Sequence, residues 1–236
     1  MTKQGKKYIA AAEKVDREKL YSPLEALDLA KVTSITRFDG TMEVHLRLGV
    51  DPRHADQQVR DTVMLPHGLG KTIRVLAFAE GDAARTAKEA GADFIGDDEA
   101  IQRIKDGWLD FDATVATPDM MGKIGKSGLG RILGTRGLMP NPKAGTVVPA
   151  GDLARAIREL KAGRVEFRVD RTGNLHVPLG KVSFETQKLY ENMAALMEAV
   201  RKSKPASSKG IFVRKVTLTS TMAPGIRVDP NAALAM

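Results

Sequence analysis

Between residues 72 and 117 short apolar runs alternate with short helical stretches, and no other feature constrains the fold of this chain as strongly. Thr72-Ile73-Arg74-Val75-Leu76-Ala77-Phe78-Ala79 is largely apolar and ends near Gly81, as a strand covered on both faces does. Residues 82–90 space Ala83, Ala84, Ala87 and Ala90 along a short helix that stops at Gly91. Phe94-Ile95-Gly96 reads as a second strand. Asp97-Asp98-Glu99 then place acids at the start of the next helix, where the helix dipole favours them. A third strand, Ala113-Thr114-Val115-Ala116-Thr117, ends at Pro118. Strand–helix alternation of this kind predicts a small parallel, Rossmann-like sheet with helices on both faces.

The flanking segments follow another pattern. In Thr41-Met42-Glu43-Val44-His45-Leu46-Arg47-Leu48, Met42, Val44, Leu46 and Leu48 face one way and Glu43, His45 and Arg47 the other, which predicts a half-exposed strand. Val165-Glu166-Phe167-Arg168-Val169 and Leu175-His176-Val177 flank Asp170-Arg171-Thr172-Gly173-Asn174, which reads as a hairpin turn. Ser22-Pro23-Leu24-Glu25 has capping-box spacing with proline at the first helical position, opening a helix to about residue 33. Residues 186–202 form a second amphipathic helix and residues 212–219 a terminal strand. Two helices on an antiparallel sheet make an α+β domain assembled from both ends of the chain.

Charge divides the chain in the same places. The 236 residues carry 37 Lys and Arg against 29 Asp and Glu, net +8. Cut at Pro66-His67-Gly68 and near Glu159-Leu160-Lys161, the middle (68–160) holds thirteen basic and thirteen acidic residues. The first segment (1–67) holds eleven and ten, and the last (161–236) thirteen and six. We therefore expect a discontinuous basic domain, 1–67 with 161–236, and an inserted neutral domain, 68–160. A basic excess favours a polyanionic partner. The absence of cysteine excludes a disulfide scaffold, thiolate zinc, iron–sulfur clusters and a thiol nucleophile. No apolar run reaches the roughly 20 residues that span a bilayer. The basic residues 1–7 lead into Ala10-Ala11-Ala12-Glu13-Lys14 rather than an apolar signal core, so no membrane partner and a cytoplasmic location are expected.

Positive evidence for enzymatic chemistry is missing. Gly68-Leu69-Gly70-Lys71-Thr72 resembles the end of a phosphate-binding loop, but Leu65 stands where the first glycine belongs and a strand follows instead of a helix. The alternative reading, a nucleotide-dependent enzyme built on the Rossmann-like middle, is further disfavoured by Ala79-Glu80-Gly81-Asp82 after the first strand, where a G-x-G-x-x-G belongs. His45, His54, His67 and His176 are far apart in sequence and read as ordinary surface or core histidines. No cofactor is expected.

Residues 120–151 hold five basic residues (Lys123, Lys126, Arg131, Arg136, Lys143), no acid and many glycines. Composition leaves two readings open, a solvated loop with turn glycines or a backbone that approaches phosphates closely. Within it, Gly134-Thr135-Arg136-Gly137-Leu138-Met139-Pro140-Asn141-Pro142-Lys143-Ala144-Gly145 resembles the signature of the ribosomal protein L-one family. Arg37-Phe38-Asp39, Leu48-Gly49-Val50-Asp51-Pro52-Arg53, Leu65-Pro66-His67-Gly68, Lys161-Ala162-Gly163, Gly180-Lys181 and Thr221-Met222 match it in order and spacing.

The resemblance implies a split β-α-β, ferredoxin-like RNA-binding domain from both termini and an inserted Rossmann-like three-layer α/β domain. It also implies a non-enzymatic protein of the large ribosomal subunit, monomeric when free, that binds stalk rRNA, meets exit-site tRNA and represses its own mRNA. The RNA contacts it implies are Arg37, Phe38, Thr41, Arg53, Lys161, Arg164, Arg168, Asp170, Arg171, His176, Thr221, Met222 and Ala223. Lys181 is a further phosphate partner, and Phe38 has plain core packing as its alternative. The chain departs from the family's pattern at Gly40, Val169 and Ala223, where the family has an acid, asparagine and glycine. A glycine at 223 would suit either a positive φ or close approach of RNA, whereas Pro224 pushes Ala223 towards extended geometry.

Overall fold

A computed structural model describes residues 5–236. Residues 1–4, the start of the basic run read above as leading into no signal core, lie outside the described residues. By internal contacts the chain falls into two compact units, Met1–Gly70 with Val165–Met236, and Lys71–Arg164. In chain order the first unit opens with α1 (Lys6–Ala12), α2 (Pro23–Val32), β1 (Thr41–Leu48) and β2 (Arg60–Met64). The middle unit holds β3 (Val75–Phe78), α3 (Asp82–Glu89), β4 (Phe94–Ile95), α4 (Asp98–Lys105), β5 (Ala113–Ala116), α5 (Pro118–Lys126), α6 (Leu129–Thr135) and α7 (Leu153–Ala162). The chain then returns through β6 (Arg164–Arg168), β7 (Asn174–Lys181), α8 (Thr186–Lys202), β8 (Val213–Ser220), β9 (Ile226–Val228) and α9 (Pro230–Leu234).

In the middle unit a parallel sheet of order β4-β3-β5 is covered on both faces. Leu76 and Phe78 pack with Ile101 and Ile104 of α4, Met120 and Ile124 of α5 and Leu129 and Leu133 of α6. Val75, Ala77 and Ala79 pack on the other side with Ala87 of α3 and Ala156 and Ile157 of α7. That two-sided burial is why the β3 run is apolar without alternation. The glycine-rich stretch 120–151 is not a plain loop. Its first half is α5 and α6, because Met120, Ile124, Leu129 and Leu133 recur at helical spacing and are buried.

The other unit is a four-stranded antiparallel sheet of order β7-β1-β8-β9. One face packs on α2 and α8. Met42, Val44, Leu46, Leu175, Val177, Val216 and Leu218 share a core with Ala26, Leu27, Leu189, Met193 and Leu196. Helix α2 starts where the sequence indicates. The Ser22 hydroxyl accepts from the Glu25 N–H at 3.4 Å, the Glu25 carboxylate accepts from the Ser22 N–H at 3.1 Å, and Pro23 occupies the first turn.

One expectation is corrected. Residues 165–169 and 175–177 do not form a hairpin, because β6 joins β2 in a separate two-stranded sheet while β7 enters the large one. The Val169 N–H donates to the Val59 carbonyl at 2.9 Å. The intervening segment is instead a loop wound around Asp170, which accepts from the N–H of Thr172 (2.8 Å) and of Asn174 (2.7 Å).

Candidate nucleic-acid interface

Among the described residues α2 and α8 pack on one face of the four-stranded sheet, and strand alternation sends the polar residues of β1, β7, β8 and β9 to the other. Register places Arg47 beside Asn174 and Lys215, His45 beside His176 and Thr217, and Thr217 beside Arg227. Glu43 lies between Pro178 and Thr219, and Thr41 beside Lys181. Cross-strand neighbours on one face lie about 5 Å apart, so the open face is a floor of cations, imidazoles and hydroxyls that also takes in Glu43 and Pro178. His45 and His176, 131 positions apart, bring their Nδ1 atoms to 2.9 Å. Burial, with the neighbouring His176 imidazole, holds His45 below its ordinary pKa against the opposing pull of Glu43.

At one end of this floor β1 and β8 are clasped. The Thr41 N–H donates to the Thr221 hydroxyl at 2.9 Å, and the Thr221 N–H donates to the Thr41 carbonyl at 3.0 Å. Within three residues of that clasp lie Phe38, 65% exposed, and Met222, 73% exposed. Phe38 is therefore not a core residue. Lys181 Nζ reaches the Thr41 hydroxyl at 3.2 Å and the Asp39 carbonyl at 3.4 Å. The Asp39 carboxylate accepts from the Ser183 hydroxyl at 2.7 Å, and the hydroxyl bond holds that carboxyl below its usual range.

Met222 has φ 64°, the left-handed region, and is the one non-glycine described residue with positive φ. The Ala223 N–H donates to the Ser220 carbonyl at 2.9 Å, so Met222 is the third residue of a four-residue turn, where type II geometry requires positive φ. The departure at Ala223 thus carries no left-handed strain; its neighbour does. A left-handed methionine costs about 1–2 kcal/mol of backbone energy. Met222→Gly relieves it but frees the unfolded chain by about 1 kcal/mol, and the expected net change in a thermal melt is close to zero. If this face binds RNA, as the resemblance implies, this variant should nevertheless bind it more weakly, since an exposed apolar side chain is removed; unchanged binding in a filter assay would place Met222 outside such an interface.

The opposite end of the floor is the Asp170 loop. Burial acts to raise the Asp170 carboxyl, but the Asn174 N–H and the Thr172 hydroxyl and N–H outweigh it and leave the group far below the usual carboxylate range. The Arg47 guanidinium donates to the Thr172 carbonyl, and His176 Nε2 lies 3.5 Å from the Asp170 carboxylate. A folded pKa below the unfolded value of about 3.9 stabilises the loop fully above that value and less as pH falls through the folded one. In an amide titration, protection of Thr172 and Asn174 should be flat at neutral pH and lost only in strong acid. Asp170→Asn should remove that acid step; a step persisting in the variant would assign it to another group.

The remaining sequence-derived residues divide. Arg37, Arg53, Arg168 and Arg171 are exposed, and no ion pair to their side chains is found among the described residues. Lys161 and Arg164 belong by contacts to the middle unit and are engaged there. Lys161 pairs with Asp93 at 2.9 Å. Arg164, with 17% side-chain exposure, holds the Glu159 carboxylate and the Ala144 carbonyl, both at 2.9 Å. Sequence reading did not single out Arg47, Lys215 and Arg227 on the floor, nor exposed Lys209 and Arg214 next to Gly49 where β1 ends. A signal was present: residues 199–228 contain seven cations and no acid. Among the described residues no cluster of three or more His, Cys, Asp or Glu could hold a metal ion, and no helix is long and apolar enough to cross a membrane.

A sequence model of the ribosomal protein L1p/L10e family matches residues 29–224, a span that includes the floor's three long strands, the Thr41–Thr221 clasp and the whole middle unit. The chain belongs to this family. It is 64% identical over 234 residues to the large ribosomal subunit protein uL1 of Chloroflexus aurantiacus (strain ATCC 29366 / DSM 635 / J-10-fl), covering 99% of this chain and 98% of that protein. It is 63% identical to the protein of the same name from Chloroflexus aggregans (97% and 96% covered) and 61% identical to that from Thermobifida fusca (98% and 96%). The L1p/L10e family is one of structural ribosomal proteins, not of enzymes. The split, two-unit α/β architecture fits that family.

Proposed function

We propose that the chain assembles into the large ribosomal subunit by binding stalk rRNA on the open face of the four-stranded sheet and its two ends. The observation that carries this reading is the floor of Arg47, His45, His176, Lys215, Thr217 and Arg227, drawn from both ends of the chain and finished by exposed Phe38 and Met222. Cations on the floor, with Lys209 and Arg214 next to Gly49, neutralise phosphates, which supplies most of the affinity. The hydroxyls and imidazoles read 2′-hydroxyls and the shape of a folded RNA. Arg37, Thr41, Arg53, Arg168, Arg171, His176 and Thr221 belong to this surface. The Lys161 and Arg164 ion pairs favour a structural role in the middle unit for those two. Discontinuous segments near 1–67 and 161–236 act as the RNA-binding domain and 68–160 as the inserted one. The same surface serves repression, the leader of the protein's own mRNA competing with rRNA for it, while exit-site tRNA meets the assembled stalk.

The deciding experiment is recovery of the RNA that remains on the purified protein after nuclease trimming. Stalk rRNA fragments are expected, and recovery of unrelated RNA without enrichment would reject the proposal. In filter binding the log affinity for the stalk fragment should fall linearly with log salt. Arg168→Ala and Lys215→Ala should each shallow the slope by about one unit, the amount per lost phosphate contact. A slope unchanged in both variants would remove these cations from the interface.

A further inference from the structure

One surface of the middle unit carries cations that its own acids leave unpaired. Of the basic residues in the acid-free stretch 120–151, Lys123 is taken up by Glu80. Lys126 at the end of α5, Arg131 within α6 and Arg136 just beyond it are exposed and form no ion pair among the described residues. Helices α5 and α6 pack on each other and bury Met120 and Ile124 of the first and Leu129 and Leu133 of the second. At about 100° per residue the faces opposite those pairs centre on Gly122 and Gly125 in α5 and on Arg131 in α6, with Lys126 and Gly134 alongside. Lys126 and Arg131 therefore sit on the solvent faces of two packed helices, with exposed Arg136 just past the end of the second.

The glycines among them have no internal explanation. A Cβ at Gly122, Gly125 or Gly134 would meet nothing within 4 Å, and none of the three has positive φ. Neither packing nor backbone conformation demands glycine there, and glycine inside a helix is less stable than alanine. What these positions provide is bare backbone between unpaired cations, open to close approach by an extended polyanion.

We propose that the α5–α6 surface is a second RNA-binding surface, which receives the phosphodiester backbone of an RNA helix. It is separate from the open sheet of the other unit and stands independently of the stalk-rRNA reading. Charge selects the occupant: three unpaired cations carried on and beside two adjacent helices suit a phosphodiester backbone, and the uncovered glycines let the strand lie against the helices. Recognition here is by backbone and shape, without base readout.

The test uses the full chain saturated with stalk rRNA fragment, to which a short RNA duplex is added while the amide resonances are followed. The expected result is movement of the Gly122, Gly125 and Gly134 amides. In K126Q/R131Q/R136Q, duplex affinity should fall at least about tenfold and the log–log salt slope shallow by about two to three units, with stalk-fragment affinity unchanged. G122A/G125A should melt at a higher temperature yet bind the duplex several-fold more weakly, opposite signs that a purely structural role does not produce. Unchanged duplex affinity in the triple variant overturns the proposal. So does binding of polyglutamate as tight as that of the duplex, which would make the surface a dock for acidic proteins. If the wild-type chain fails to bind the stalk fragment, the proposed function falls, while the glycine amides still report on this surface.

Discussion

Phe38→Ala should weaken binding of the stalk rRNA fragment by about five- to 150-fold, the loss of about 1–3 kcal/mol that accompanies removal of one base-stacking aromatic, while leaving thermal unfolding unchanged. The two halves of this expectation come from the same geometry. The backbone around Phe38 is held: the Thr36 hydroxyl donates to its carbonyl at 2.9 Å, and the next residue, Asp39, accepts from Ser183 and Lys181. The ring itself is 65% exposed, so little apolar burial is lost on truncation. An aromatic side chain carried into solvent on a fixed backbone, next to the clasped end of a basic sheet, is placed to stack on an unpaired base. Phe38→Tyr keeps the π-face and should keep most of the affinity. Filter binding and a melt on the same preparations decide the point: a drop in melting temperature matching the loss of binding would mean that the ring packs and does not stack.

What was legible in the sequence followed the range of the interactions concerned. Helix α2 was readable to within a residue because its determinants, Ser22, Pro23 and Glu25, are local. The parallel sheet was readable because β3, buried on both faces, leaves a solid apolar run, and β1 because it alternates. The mistaken hairpin at residues 165–177 failed for the converse reason. Two strands separated by a five-residue polar loop imply pairing only if nothing distant competes, and here β2 and β1, over a hundred residues earlier, take one strand each. The floor of the proposed interface was hidden in the same way: His45 meets His176, and Arg47 meets Lys215, only through non-local register. Lys161 and Arg164 show the limit of reading charges singly, since their carboxylate partners Asp93 and Glu159 are fixed by the fold of the middle unit. The family signature, by contrast, needed no geometry at all. It is a string of residue types in order, and it pointed to membership where the contacts could not be seen.

The same long-range logic produces the largest stability effect expected. Asn192 lies on the buried face of α8 among Leu189, Met193 and Leu196 and has 0% exposure, a polar residue where helical periodicity calls for an apolar one. Its amide is saturated by backbone from two directions. Oδ1 accepts from the His67 N–H at 3.0 Å, and Nδ2 donates to the Gly68 carbonyl at 3.0 Å and the Leu179 carbonyl at 2.7 Å. The side chain thereby ties the segment after β2 to both α8 and β7, at the point where the chain leaves this unit. Asn192→Leu keeps the branched heavy-atom skeleton but abandons one donor and two acceptors, the Leu179 carbonyl in the core and the His67 N–H and Gly68 carbonyl at its half-buried edge, at about 1–3 kcal/mol for each unpaired group. With a gain of about 1.5–3 kcal/mol from the apolar side chain set against it, the expected net loss is about 3 kcal/mol. The sole tryptophan, Trp108, lies in the middle unit, and all three tyrosines, Tyr8, Tyr21 and Tyr190, lie in the unit that holds Asn192. Denaturant unfolding should therefore show the tyrosine transition moved to much lower denaturant and the tryptophan transition moved far less. Coincident shifts of both probes, or none, would deny Asn192 this local role. Asn192→Asp separates volume from hydrogen bonding: it keeps the acceptor for His67 but turns both carbonyl contacts into repulsions, so it should be no more stable than the leucine variant despite being the closer relative of asparagine.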